Sequence, residues 1–128
     1  MKFHHIGYLT TNLNNSIKEF KKINYKKKGN VINDKNLLVR IQFILNSNNI
    51  IELVKPYKKN YSLLKIFKNK NYAYHFAYKV KNLKASINKL KKNNFKIIVN
   101  PVPAKAFNNK KVAFLKMKND FIIELIES

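Results

Sequence analysis

Two histidines and two glutamates occupy equivalent points of an internal repeat in the sequence. At an offset of 70 residues His5 falls on His75, and at an offset of 72 residues Glu52 falls on Glu124. Imidazole nitrogens and carboxylate oxygens are ligands for divalent ions such as Mn²⁺, Co²⁺, Ni²⁺, Fe²⁺ and Zn²⁺. The pattern therefore predicts one metal site with four protein ligands, of which each copy of the repeat supplies two.

The rest of the repeat supports this choice of ligands. Side chains in a strand alternate between faces, so His4 and His5 cannot both point inward, and the repeat selects His5. Glu52 and Glu124 lie in apolar runs, where an unpaired carboxylate would cost several kcal/mol to bury. Further matches at the offset of 70 are Tyr8 with Tyr78, Asn12-Leu13 with Asn82-Leu83, Ser16-Ile17 with Ser86-Ile87, and Lys21-Lys22 with Lys91-Lys92.

Length and composition indicate one soluble domain. The chain has 128 residues, of which 45% are hydrophobic, and it contains no cysteine. Disulfides, thiolate ligands and cysteine nucleophiles are therefore excluded. No apolar run reaches the length of a membrane span, so we expect a cytoplasmic protein without membrane contact.

The net charge of +21 invites a nucleic-acid interpretation, which we do not favour. Arg40 is the only arginine, whereas base readout commonly uses the bidentate arginine fork. The lysines are dispersed, and the abundance of Lys, Asn, Ile and Tyr is typical of an AT-rich genome. The charge could still raise the association rate of an anionic substrate.

Hydrophobic periodicity predicts the same order of elements in both halves. Asn12 is the predicted N-cap of the first helix. We predict turns at Gly29–Asn30 and over 33–36, and a loop over 100–110 that contains Pro101 and Pro103. The predicted strands are 3–10, 25–28, 37–45, 50–55, 73–80, 95–99, 111–117 and 121–126, and the predicted helices are 13–22, 61–68 and 83–92.

This pattern predicts an α+β fold of two tandem βαβββ modules. The modules would span residues 1–58 and 73–128, with a linker helix within 59–72. Together they would form a curved eight-stranded mixed sheet around one metal site.

The arrangement resembles the vicinal oxygen chelate superfamily, also called the glyoxalase/bleomycin resistance/dioxygenase superfamily, over essentially the whole chain. Within it, the chain is most similar to the methylmalonyl-CoA epimerase branch. The motifs that carry the resemblance are F-H-H-I-G at 3–7, I-I-E-L-V-K-P at 50–56, Y-H-F-A-Y-K-V-K-N-L at 74–83, V-P at 102–103, V-A-F-L at 112–115 and I-I-E-L at 122–125.

The resemblance implies the same four metal ligands and a proton-transfer reaction. A substrate carbonyl would be chelated by the metal, and a base would remove a proton from the neighbouring carbon. Glu52 and Glu124 are the candidate bases, because Asp34 and Asp120 are predicted to lie in turns. The implied substrate is a 2-substituted acyl thioester such as methylmalonyl-CoA, and the implied enzyme is an isomerase of the epimerase type.

Two alternatives stay open, a glyoxalase I-like lyase and a non-catalytic binding protein of the bleomycin-resistance type. The absence of an early arginine argues against the lyase, and four intact ligands argue against the binder. Gln42 would share the cavity face of its strand with Arg40, and Lys105, Phe107 and Asn108 lie where the family closes its substrate pocket. A homodimer is compatible with the sequence.

Overall fold

All eight strands of the computed structural model, which describes residues 1–128, belong to one mixed sheet. The strands are β1 (Lys2–Leu9), β2 (Lys26–Asp34), β3 (Val39–Asn46), β4 (Asn49–Pro56), β5 (Ala73–Val80), β6 (Lys96–Pro103), β7 (Lys111–Lys116) and β8 (Ile122–Glu127). Their order is β2-β3-β4-β1-β5-β8-β7-β6. The helices are α1 (Leu13–Lys21), α2 (Tyr61–Lys68) and α3 (Leu83–Lys92), and a short 3₁₀ helix covers Lys105–Phe107. The predicted fold class is confirmed.

The chain forms two compact units that follow the repeat closely. The first-repeat unit is His5–Tyr74, and the second-repeat unit is His75–Ser128 together with Met1–His4. In the first-repeat unit β1 runs parallel to β4, and β3 is antiparallel to both β4 and β2. In the second-repeat unit β5, β8, β7 and β6 are paired in the same way. The common pairing scheme explains why one sequence pattern recurs.

Each unit buries its helix against one face of its own strands. In the first-repeat unit the buried core consists of Leu13, Ile44, Ile51 and Leu53. In the second-repeat unit α3 packs on the corresponding strands, through Val80, Leu83, Ile87, Ala113, Leu115, Ile123 and Leu125. Because strand side chains alternate, the residues between these core positions point to the opposite face. No helix combines the length and the apolar character needed to cross a membrane.

The two edge strands are longer than the sequence predicts. The predicted turn at Gly29–Asn30 lies inside β2, where the pairing with β3 shifts register between Lys28 and Ile32. Gly29 adopts a φ of 73°, which an irregular strand position can accommodate. β6 likewise continues through Pro101 and Pro103, since an edge strand needs no N–H on its outer side.

Both repeats begin and end their main helix in the same way. The side chain of Asn12 accepts a hydrogen bond from the Asn15 amide, and the side chain of Asn82 accepts one from the Ala85 amide. Asn24 and Asn94 follow the two helices with φ values of 72° and 70°. The predicted N-cap at Asn12 is confirmed.

We expect Asn12→Ala to lower the free energy of unfolding by about 1 kcal/mol, because the substitution removes the cap of α1. Urea unfolding would measure the change. Asn14→Ala is the matched control, since Asn14 is exposed on the same helix and caps nothing. Equal losses in the two variants would contradict a capping role.

Candidate metal centre

The first-repeat unit holds a buried histidine–glutamate pair on the face opposite its helix. Glu52 on β4 is paired with Gly7 on β1, and His5 lies two residues before Gly7, so the three residues share one face. His5 Nε2 lies 3.5 Å from Glu52 Oε1. The exposed fractions of His5 and Glu52 are 0% and 4%. Strand pairing thus brings together two residues that are 47 positions apart in the sequence.

The second-repeat unit contains the equivalent pair. Glu124 on β8 is paired with Ala77 on β5, and His75 lies two residues before Ala77. His75 Nε2 lies 3.8 Å from Glu124 Oε2, and the exposed fractions of the two residues are 0% and 2%. The repeat therefore holds for the buried polar side chains as well as for the helices.

The chemistry of these four residues fits a divalent ion. Both nitrogen–oxygen separations exceed the roughly 2.7–2.9 Å of a charge-assisted hydrogen bond. They fall below about 4.2 Å, the widest spacing of two donors that are each about 2.1 Å from one ion. Two neutral imidazoles and two carboxylates would balance the charge of a divalent cation. The four make a buried group that could hold a metal ion.

An aromatic ring lies against each histidine, and the sequence analysis did not anticipate it. The rings of Phe43 and His5 are 5.7 Å apart and nearly perpendicular, and those of Phe114 and His75 are 5.6 Å apart in the same arrangement. Each phenylalanine is also paired across strands with the glutamate of its unit. The signal was present, because Phe43 recurs as Phe114 at an offset of 71 residues.

His4 is directed away from the His5–Glu52 pair, as strand alternation predicts. It is half-buried, and its ring lies 5.5 Å from the ring of Phe107 in an edge-to-face contact. Phe107 belongs to the 3₁₀ helix that interrupts the predicted loop over 100–110. Lys105 and Asn108 are exposed beside it. The substrate-binding roles of Lys105, Phe107 and Asn108 stay predictions.

Gln42 lies on the other face of its strand from the glutamate pair. Gln42 is paired with Leu53, a core residue beneath α1, whereas the neighbouring Phe43 is paired with Glu52. Gln42 does share its face with Arg40, and both line a cavity beside the beginning of α1. A shared face with Arg40 was therefore predicted correctly, but this face is not the one that carries Glu52. Any substrate contact by Gln42 stays a prediction.

The remaining carboxylates have other roles in the structure. Asp34 is not a surface turn residue as predicted; it ends β2, is 1% exposed and accepts hydrogen bonds from the Asn36 and Leu37 amides. Asp120 is exposed in a turn with a φ of 70°. Glu19 is exposed and forms an ion pair with Lys22. None of these three groups belongs to the candidate metal group.

Comparison with protein families gives one match that covers most of the chain. The family model described as the glyoxalase/bleomycin resistance protein/dioxygenase superfamily matches residues 4–114. No curated protein gives a significant match.

Several solved structures share the fold. A hypothetical protein from Bacillus halodurans C-125 is 24% identical, with a TM-score of 0.84 over 99% of this chain and 94% of that one. Methylmalonyl-CoA epimerase from Mycobacterium tuberculosis is 17% identical, with a TM-score of 0.82 over 98% and 87%. Streptomyces coelicolor methylmalonyl-CoA epimerase in complex with 2-nitronate-propionyl-CoA is 13% identical, with a TM-score of 0.82 over 100% and 97%. At these identities the likeness concerns the fold.

Proposed function

Because the chain belongs to the glyoxalase/bleomycin resistance protein/dioxygenase superfamily, we propose that it is a metal-dependent isomerase of the epimerase type. Its metal ligands are His5, Glu52, His75 and Glu124. The observation that carries this proposal is the pair of matched buried His–Glu contacts, at 3.5 and 3.8 Å, in equivalent places of the two repeats. A surface glutamate or a core histidine has no reason to be duplicated in this way.

Each ligand type has a distinct task in the proposed site. The imidazoles present Nε2, and their full burial fixes their orientation against Phe43 and Phe114. The carboxylates supply negative charge that a buried divalent cation requires. When bound, Co²⁺, Mn²⁺, Ni²⁺, Fe²⁺ or Zn²⁺ would act as a Lewis acid that makes the C–H beside a substrate carbonyl more acidic.

A glutamate carries the proton in the proposed reaction. The carboxylate of Glu124 or Glu52 takes the proton from the carbon beside the carbonyl, and the proton returns to the opposite face of that carbon. The product differs from the substrate only in the configuration of this carbon, so no oxidant or second substrate is needed. A base must lie within hydrogen-bond reach of the proton that it removes.

We infer that the substrate is a 2-substituted acyl thioester, such as methylmalonyl-CoA. Two observations support this class: the fold is shared with methylmalonyl-CoA epimerases from two organisms, and the net charge is +21. A strongly positive protein attracts an anionic thioester such as a CoA derivative over long range, and this attraction raises the association rate.

Solvent-deuterium exchange tests the function directly. The protein is stripped with EDTA, reloaded with each of the five candidate ions and incubated with methylmalonyl-CoA in D₂O. We expect deuterium at C2 and loss of stereochemical purity only in metal-loaded samples. Metal-loaded protein that exchanges no proton of methylmalonyl-CoA but converts a hemithioacetal would be a lyase instead. Loaded protein that converts neither compound would contradict the enzyme and favour a binding protein.

A further inference from the structure

A second cavity, of about 490 Å³, lies within the first-repeat unit on the face that carries α1. Its walls are the beginning of α1 and the outer part of strands β2, β3 and β4. Lys55 and Leu53 lie on this face of β4, whereas Glu52 lies on the other face. The cavity is thus separate from the His5–Glu52 pair, and inferences about it do not depend on the proposed function.

Three positive side chains line this cavity, and no carboxylate does. They are Lys27, Arg40 and Lys55, contributed by three neighbouring strands. Arg40 and Lys55 are directly paired across β3 and β4. Two like charges in this position destabilise a sheet. The only arginine of the chain therefore stands where its charge is unfavourable unless an anion is bound.

The second-repeat unit provides an internal comparison. Its equivalent cavity, of about 600 Å³, lies beside the beginning of α3. Lys111 takes the place of Arg40, and Glu127 takes the place of Lys55, at offsets of 71 and 72 residues. The carboxylate of Glu127 accepts a hydrogen bond from the Lys111 amide. The strand charges balance in that cavity, so the unbalanced pair is particular to the first-repeat unit.

A buried amide adds a polar group to the wall of the first cavity. Gln42 lines it and is only 3% exposed. Its Nε2 donates to the main-chain carbonyls of Gly29 and Phe43 at 3.1 and 2.9 Å, so its Oε1 is left to accept a hydrogen bond from a ligand hydroxyl. The first turn of α1 contains no acidic residue that would oppose an anion.

We propose that this cavity binds the phosphate group of a small organic phosphate. Arg40 offers the planar fork that binds phosphate oxygens in pairs, and Lys27 and Lys55 add two ammonium groups. The volume exceeds what a lone phosphate ion needs and lies within the range of small-molecule pockets, roughly 300–1,000 Å³. Gln42 would then contact a hydroxyl group on the organic part.

Nuclear magnetic resonance titration with inorganic phosphate and with glycerol phosphate tests the proposal, on metal-free protein at constant ionic strength. We expect saturable shifts of the Gln42 side-chain amide and of the backbone amides over 11–14. Lys55→Glu copies the charge pair of the second-repeat unit, and it should weaken binding on the order of 10- to 100-fold. Arg40→Gln should give a similar loss if Lys55→Glu does not fold.

Lys84→Glu is the matched control, because it makes the same charge change in the equivalent cavity of the second-repeat unit. It should leave the affinity within about twofold of the wild type. Tighter binding of glycerol phosphate assigns an ester as the ligand, and equal affinities assign the free phosphate; both support the site. Equal losses in Lys55→Glu and Lys84→Glu, or shifts spread evenly over both cavities, would show a general attraction to lysine and overturn the proposal.

Discussion

His5→Ala and His75→Ala will each remove most of the divalent metal that the purified wild-type protein retains. Each substitution deletes one of two imidazole ligands, and the small side chain leaves a buried position without a nitrogen donor. Ligand loss should appear in two measurements, elemental analysis and the thermal shift on adding metal. At a free metal concentration 100-fold above the dissociation constant, binding stabilises the fold by about 2.7 kcal/mol. For a chain of this size that corresponds to roughly 10 °C.

His4→Ala is the matched control for both variants, because it removes an adjacent histidine on the other face of β1. We expect it to keep stoichiometric metal and the full thermal shift. His5→Gln and His75→Gln serve as second variants of similar size, in case a cavity at a fully buried position prevents folding. Unchanged metal content in folded variants of both His5 and His75 would rule out the four-ligand site.

The repeat made most of the fold predictable from sequence. Equivalent helices, equivalent N-caps at Asn12 and Asn82, and equivalent His–Glu pairs all follow from one offset. A local pattern that occurs twice is less ambiguous than a single one, since the two copies must adopt the same structure. The linker helix was found at its predicted bounds, Tyr61–Lys68, because its apolar spacing is helical and an asparagine caps it.

The features that the sequence did not reveal depend on register rather than on composition. β2 continues past Gly29 because a register shift absorbs the irregular residues, and no local signal distinguishes such a shift from a turn. Asp34 reads as a turn residue, yet it is buried because its carboxylate binds the amides of the following turn. Gln42 was assigned with Arg40 correctly, but the face of the sheet was set by pairing with Leu53.

Duplication gives the two units a common plan in which single substitutions become informative. Where both units keep the same residue, as with the buried histidines and glutamates, a shared requirement such as one metal ion explains the match. Where the units differ, as Lys55 differs from Glu127, the difference indicates a separate role of one unit. The candidate metal centre and the proposed phosphate cavity thus follow from the same comparison, on opposite faces of the strands.

Glu124→Gln will keep partial metal binding and lose solvent-deuterium exchange into the substrate by a factor on the order of 100 or more. The amide oxygen of glutamine can still act as a ligand, but the amide cannot accept the proton from carbon. Glu52→Gln should be measured in parallel, because the variant with the larger loss per bound metal identifies the base. Glu19→Gln is the matched control at an exposed position, and it should exchange at the wild-type rate.

The ratio of exchange rate to metal content separates the two roles of the glutamates. A residue that only holds the metal will lower both quantities together, and added metal will restore the exchange. A residue that also carries the proton will leave exchange low at full metal occupancy. Exchange at a near wild-type rate in metal-loaded Glu124→Gln would remove Glu124 from the role of base, and the same result in Glu52→Gln as well would require a proton acceptor outside the four proposed ligands.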